Sequence, residues 1–115
     1  MNNTFDRRPD KSGYILARMR FEIVLAPEAV EDLKALLANV RAALRTALET
    51  RLRHEPRKTS RSRIKRLRGL RRPQCRLRVG EVRVFYDVTG SVVEILAILA
   101  KPEVESWLAE FANRN

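Results

Sequence analysis

The sequence has little of what metal and thiol chemistry require: one cysteine, Cys75, and one histidine, His54, among 115 residues. A single cysteine cannot form a disulfide within the chain, and these two side chains fall short of a zinc ligand set. No segment approaches the ~20 apolar residues of a membrane helix, and the chain does not open on a signal peptide. We therefore expect a cytoplasmic protein without a metal, a cofactor or a membrane partner.

Acidic residues are also scarce, since 14 Asp and Glu face 24 Lys and Arg, which gives a formal net charge of +10. The excess lies in one block. Residues 51–83 hold fourteen basic and two acidic residues, whereas the rest of the chain holds ten basic and twelve acidic ones. A solvated surface usually interleaves its charges, so this block predicts a polyanion site for nucleic acid, the ribosome or an acidic protein. The alternative is a solubilising patch or a disordered basic tail.

The length fits one domain. Residues 1–18 are polar and lack a sustained period, so we expect a flexible leader, with Met19 as an alternative natural start, followed by one domain over residues 19–115. The apolar pattern then predicts the order strand, two helices, three strands, helix. The strands are expected over 21–25, 75–79, 82–88 and 92–100, the two helices between 27 and 54, and the last helix from Pro102. Asn39 is the expected cap between the two helices, with one long helix as the alternative, and residues 57–74 are expected to form a basic loop.

Several local phrases stand in the same order as in a known family. They are Ala26-Pro27-Glu28-Ala29, Asp32-Leu33, Lys65-Arg66-Leu67-Arg68-Gly69, Arg76-Leu77-Arg78-Val79-Gly80 and Arg83-Val84-Phe85-Tyr86-Asp87. Over about residues 20–113 the chain resembles the RelE/ParE toxin superfamily. The resemblance implies an α/β (α+β) fold in the order β-α-α-β-β-β-α. A small, curved, mainly antiparallel sheet would carry a helical hairpin on one side, together with a C-terminal helix.

The resemblance also implies a function. The chain would be the toxin of a type II toxin–antitoxin system, silenced by a cognate acidic antitoxin in a complex that is a higher oligomer. In the RNA-cleaving branch of the family, the toxin is a ribosome-dependent endonuclease that grips messenger RNA in the A site. The alternatives are a ParE-like inhibitor of DNA gyrase and a non-catalytic basic protein that binds RNA or the ribosome.

The family's basic site residues can be matched to positions in this chain. Arg76 and Arg78 match the two basic residues on the strand after the Leu-Arg-Gly phrase, Arg83 matches the arginine on the next strand, and Arg68 matches the arginine of the phrase itself. Lys101 is added as a candidate for proton transfer. The predicted catalytic set is therefore Arg76, Arg78, Arg83 and Lys101, and the predicted RNA-binding set is Lys65, Arg66, Arg68, Arg71 and Arg72.

The chemistry of RNA cleavage exposes a gap in this set. Attack by the 2′-hydroxyl needs a proton acceptor, a stabiliser of phosphorane charge and a proton donor. Arginines stabilise phosphate charge well but are poor bases. The tyrosine of the family's C-terminal helix, and the arginine or histidine just after its last strand, have no match here. The sequence thus predicts an endoribonuclease with an atypical or weakened acid–base site, with Lys101, Asp87, Glu81 and Tyr86 as the remaining candidates.

Several of these residues also have a plain structural interpretation. Asp87 could form a salt bridge with Arg83, four residues away on the same strand. By alternation, Tyr86 shares a face with Val84 and is expected in the core. Trp107 could stack on a base, but its helical spacing with Phe111 favours packing. His54 is expected to cap a helix end and Cys75 to be a small buried side chain.

Overall fold

The computed structural model describes residues 20–114 of the chain, and the predicted leader over residues 1–18 lies outside them. The described part forms five strands and three α-helices. In chain order they are β1 (Glu22–Leu25), α1 (Pro27–Ala35), α2 (Ala38–Ala47), β2 (Ile64–Arg66), β3 (Cys75–Val79), β4 (Val82–Thr89), β5 (Val92–Ala100) and α3 (Val104–Arg114). A π-helical turn, Leu48–Leu52, extends α2, and a 3-10 turn, Lys101–Glu103, precedes α3. Over residues 20–114, no helix is long and apolar enough to cross a membrane.

The five strands form one sheet in the order β1-β5-β4-β3-β2. β1 pairs with β5 in parallel, and the three other pairings are antiparallel. β3 and β4 are joined by a tight turn in which Gly80 has a φ of +58°, a left-handed conformation that glycine adopts at low cost. The mixed, mainly antiparallel sheet with two sequential helices and a C-terminal helix confirms the predicted α+β fold class.

The basic segment 57–74 was predicted to be a loop, and this prediction missed a strand. β2 pairs antiparallel with β3, with Ile64 opposite Leu77 and Arg66 opposite Cys75. Ile64 is buried, and the Ser60 hydroxyl accepts hydrogen bonds from the backbone N–H groups of Arg63 and Ile64. Backbone pairing with β3 and one buried side chain therefore specify this short strand.

The expected break between two helices is present, but it precedes Asn39. α1 ends at Ala35, and Leu36 and Leu37 both have extended backbone conformations. Asn39 lies inside α2, so the prediction that it caps the helix is wrong. Arg41 Nη1 instead donates a hydrogen bond to the Leu36 carbonyl at 2.8 Å, which satisfies an acceptor that the end of α1 leaves open.

The two faces of the sheet are covered differently. On one face, α2 and its π-helical extension bury Leu44, Leu48 and Leu52 in the main core. The sheet contributes to that core the side chains of Leu77, Val84, Tyr86, Val93 and Ile95. On the other face, α3 stacks Trp107 on Phe85. Since side chains alternate along a strand, the neighbours of Phe85 on this second face are the basic residues of β3 and β4.

Candidate nucleic-acid interface

Five basic residues lie on the face of the sheet opposite α1 and α2. In the strand register, Lys65 stands opposite Arg76, and Arg78 stands opposite Arg83. Arg63 precedes β2, its carbonyl accepts the Arg78 N–H at 2.7 Å, and its side chain lines a shallow pocket with Arg78. We call this set, Arg63, Lys65, Arg76, Arg78 and Arg83, the basic face. Arg63 was not predicted, because its position depends on the missed strand β2.

Arg76 lies at the centre of the basic face and is half-buried. Its Nε atom is buried, and no hydrogen-bond partner for it exists within residues 20–114. Burial lowers the pKa of the Arg76 guanidinium, and the positive charges of Arg83 and Arg78 lower it further. The site thus concentrates positive charge beside an unsatisfied donor, which is the electrostatic environment that an anion would relieve.

Arg83 is placed differently from its two neighbours, because its side chain is buried with 7 % of its surface exposed. Its Nη1 atom donates hydrogen bonds to the carbonyls of Gly80 at 2.9 Å and Val82 at 3.2 Å. Both acceptors belong to the turn between β3 and β4 or to its edge. Arg83 therefore holds this turn, while Arg78, directly opposite, stays exposed.

Lys101 lies at the same end of the sheet as this turn. It begins the 3-10 turn after β5, is exposed, and its backbone N–H donates to the Glu81 carbonyl at 3.1 Å. Ala100, the residue before it, stands opposite Val82. The fold thus brings both Lys101 and Glu81 to the end of the sheet where Arg83 and Arg78 meet.

Asp87 does not pair with Arg83, and that prediction is wrong. Its Oδ2 atom accepts a hydrogen bond from Arg72 Nε at 2.6 Å, and its Oδ1 atom accepts one from the Gln74 N–H at 2.7 Å. The Cα atoms of residues four apart on a strand are about 13 Å apart, and the Asp87 carboxylate is engaged by the loop before β3 instead.

The five predicted RNA-binding residues take four different positions. Lys65 belongs to the basic face, whereas Arg66 stands opposite Cys75 and lies on the other face of β2. Arg68 and Arg71 are exposed on the loop between β2 and β3. Arg72 is engaged within the fold: besides Asp87 it reaches Glu94 at 3.4 Å, and its guanidinium lies 5.6 Å from the centre of the Phe111 ring.

Two of the aromatic candidates take structural positions. Tyr86 is fully buried and donates its hydroxyl hydrogen to the Pro56 carbonyl at 2.7 Å. Burial, together with the neighbouring Cys75, raises the pKa of the Tyr86 phenol. Trp107 stacks between Phe85 and Phe111, with ring centres 5.2 Å and 4.8 Å apart. The core position expected for Tyr86 and the packing role expected for Trp107 are both confirmed.

Residues 23–103 match the model of the ParE toxin of type II toxin–antitoxin systems, which is well over half of the chain. This chain belongs to that toxin family. Comparison of the toxin with curated proteins gives no match.

Solved structures share the fold of the toxin at low sequence identity. The E. coli toxin RelE, as an arginine double mutant in the free state, is 24% identical with a TM-score of 0.63, covering 84% of this chain and 97% of that one. The RelBE2 toxin–antitoxin complex of Mycobacterium tuberculosis contains a chain 23% identical with a TM-score of 0.61, covering 71% and 92%. A chain of the RelB–RelE complex of Methanococcus jannaschii is 20% identical with a TM-score of 0.58, covering 73% and 96%.

The toxin offers no metal-binding cluster within its described residues, since no group of three His, Cys, Asp or Glu side chains comes together there. With Tyr86 buried and Asp87 engaged by Arg72, two of the four acid–base candidates are occupied in the fold. The exposed residues Lys101 and Glu81 remain, both at the end of the sheet that carries Arg78. The described residues thus offer more groups for binding an anion than for transferring a proton.

Proposed function

We propose that this toxin arrests translation by cutting messenger RNA on the ribosome, and that the basic face binds the scissile phosphate. The observation that carries the proposal is Arg76, which is half-buried beside Arg78 and Arg83 and whose buried Nε donor has no partner among the described residues 20–114. A buried donor left unpaired costs about 1–3 kcal/mol. A phosphate bound to the basic face would offset the mutual repulsion of the arginines and the cost of burying the Arg76 guanidinium.

The exposed and the buried residues of the basic face would have different roles in binding the phosphate. Arg76, Arg78 and Lys65 can reach a phosphate from adjacent strands, and the planar guanidinium groups match phosphate oxygens. Arg83 would support them from beneath, because it is buried and holds the turn. In the cleavage step, the 2′-oxygen forms a bond to phosphorus, the 5′-oxygen leaves, and a proton passes from one to the other. Lys101, or a group of the ribosome, would carry that proton.

We also infer a cognate antitoxin as the partner of this toxin. The net charge of +10 favours an acidic protein, and RelE chains of Methanococcus jannaschii, Mycobacterium tuberculosis and Pyrococcus horikoshii are solved as complexes with antitoxins. An antitoxin segment that folds on binding would cover the basic face in a higher oligomer. Co-expression with the product of the adjacent gene should yield a stable complex and relieve growth arrest. The inference fails if that product neither binds the toxin nor protects cells.

Inhibition of DNA gyrase is the second candidate function. It is favoured by the family model, which is that of ParE toxins, and by the occupied acid–base candidates Tyr86 and Asp87. A gyrase inhibitor acts by binding and needs no proton transfer. The two candidate functions therefore have different observable outcomes. The endonuclease leaves cut messenger RNA, whereas the gyrase inhibitor leaves relaxed DNA that gyrase has not supercoiled.

The two functions are separated by running both assays on the same protein. We expect wild-type toxin to cut messenger RNA on programmed ribosomes, mapped by primer extension, and to leave gyrase supercoiling unchanged. Single-stranded RNA affinity should fall with salt, and Arg78→Ala should reduce the slope of log affinity against log salt by about 0.7, one phosphate contact. The fold should tolerate Arg78→Ala, because the change removes an unfavourable pair of like charges, Arg78 opposite Arg83, from the sheet.

Arg45→Ala is the matched control for this charge change, since Arg45 is exposed on α2, behind the sheet. It removes one positive charge and should leave the slope as in the wild type. Loss of supercoiling with intact messenger RNA would overturn the proposal in favour of the gyrase inhibitor. Equal slopes for Arg78→Ala and Arg45→Ala would move the RNA site away from the basic face.

A further inference from the structure

The loop between β2 and β3 is attached to the sheet through a single buried acid. Asp87 is 5 % exposed, and both of its carboxylate oxygens accept hydrogen bonds from the loop: Oδ2 from Arg72 and Oδ1 from the backbone of Gln74. The Gln74 side chain in turn accepts the Val88 N–H at 3.0 Å. One residue of β4 and its neighbour thus bind the end of the loop at three points.

This attachment fixes where the loop leaves the sheet. The Leu67 N–H donates to the Gln74 carbonyl at 2.9 Å, so the loop continues the hairpin of β2 and β3 without a gap. Along the strands, Leu67 is two residues from Lys65, and Gln74 is two residues from Arg76. Two residues span about 7 Å of strand. The loop therefore emerges directly beside the centre of the basic face.

The cations of the loop have different surroundings. The Arg72 guanidinium is engaged by Asp87 and Glu94 and lies against the Phe111 ring of α3. The hydrogen bond to Asp87 raises the pKa of Arg72, so this cation is compensated within the fold. Arg68 and Arg71 are exposed, and neither forms an ion pair within the described part of the chain. The loop thus presents two charges while the third attaches it to the sheet.

We propose that Asp87 is a positioning residue for RNA binding: it holds the β2–β3 loop through Arg72 and Gln74 so that Arg68 and Arg71 extend the basic face along the RNA strand. The inference rests on the proposed binding of RNA by this toxin. The negative charge of Asp87 alone would weaken RNA binding. Its positioning of the loop strengthens RNA binding instead.

The test is Asp87→Asn, because a purely electrostatic effect and a positioning role predict opposite changes in RNA affinity. Removing an acid raises the net charge by one, so electrostatics alone predicts tighter binding of RNA. If Asp87 positions the loop, affinity for a short fluorescent single-stranded oligoribonucleotide should fall, and the salt slope should decrease by up to about 1.4, two contacts of ~0.7 each. The effect should match that of the double variant Arg68→Ala/Arg71→Ala, and combining all three changes should add nothing further.

Glu22→Gln is the matched control, since it removes the same charge from an exposed residue of β1, at the edge of the sheet opposite β2. It should bind RNA as tightly as the wild type or more tightly. Arg72→Lys is a second variant in case Asp87→Asn does not fold: it keeps the positive charge but loses the planar donors that engage the carboxylate. It should weaken RNA binding in the same way.

Amide hydrogen exchange over residues 67–74 provides a readout that needs no RNA. Exchange there should quicken in Asp87→Asn and stay slow in Glu22→Gln. Unchanged exchange, or RNA binding by Asp87→Asn that equals or exceeds that of the wild type, would overturn the positioning role. Wild-type toxin that binds no RNA, with exchange responding as expected, would instead overturn the proposed function while leaving the attachment of the loop established.

Discussion

Replacing Arg76 with alanine should lower the rate of messenger RNA cleavage on programmed ribosomes by about 10²–10³-fold, the usual effect of losing one pre-organised charge stabiliser. In the part of the chain that the structure describes, Arg76 is the basic-face residue whose buried donor has no hydrogen-bond partner, and the positive charges of Arg78 and Arg83 repel its own. Arg76→Ala should leave the fold intact, because it removes both the unpaired buried donor and the repulsion by the neighbouring arginines. The rate is measured by primer extension in single-turnover experiments.

Arg66→Ala is the control that tests the face as well as the charge. Arg66 lies on the adjacent strand β2, on the opposite face from Arg76, so the same loss of charge should have little effect on cleavage. Arg76→Lys should fall between the wild type and alanine, because lysine keeps the charge without the planar fork of donors. Full cleavage by Arg76→Ala together with loss of cleavage in Arg66→Ala would place the active surface on the other side of the sheet.

The strands that carry the site could be predicted from the sequence where the pattern is local. The alternation in Cys75–Val79 and the apolar run in Val92–Ala100 gave the observed limits of β3 and β5, because side-chain period and burial are properties of the residues themselves. β2 has no such pattern: one of its three residues is apolar, and its partner strand supplies the rest. A strand specified by backbone pairing leaves little trace in composition.

The site was predictable to the same extent. Alternation alone places Arg76 and Arg78 on one face, as the structure has them. The position of Lys65 opposite Arg76 required β2. The ion pair of Arg72 with Asp87 joins residues fifteen apart through a loop and a hairpin, and no local pattern specifies it. The burial of Arg83 likewise depends on what packs around the strand, since its alternation is the same as that of an exposed arginine.

Replacing Arg83 with alanine should lower the free energy of unfolding by about 2–3 kcal/mol, through the loss of a buried side chain and of the donor for the turn carbonyls. Arg83 is buried, so its truncation leaves a cavity and removes both hydrogen bonds from Nη1, to the carbonyls of Gly80 and Val82. Growth arrest should be lost as the turn that aligns Arg78 loosens. Urea unfolding, followed by circular dichroism, measures the change in stability.

The role of Arg83 is then decided by comparing Arg83→Ala with Arg78→Ala, because Arg78 stands directly opposite Arg83 on the neighbouring strand. Arg78→Ala should keep the stability of the wild type and reduce the salt slope of RNA binding by about 0.7. Arg83→Ala should show the reverse: a large loss of stability with a smaller change in slope, because a side chain that is 7 % exposed and holds two carbonyls through Nη1 offers little surface to a phosphate. If Arg83→Ala instead keeps its stability and loses a full contact, Arg83 leaves the turn when RNA binds and joins Arg76 and Arg78 on the phosphate.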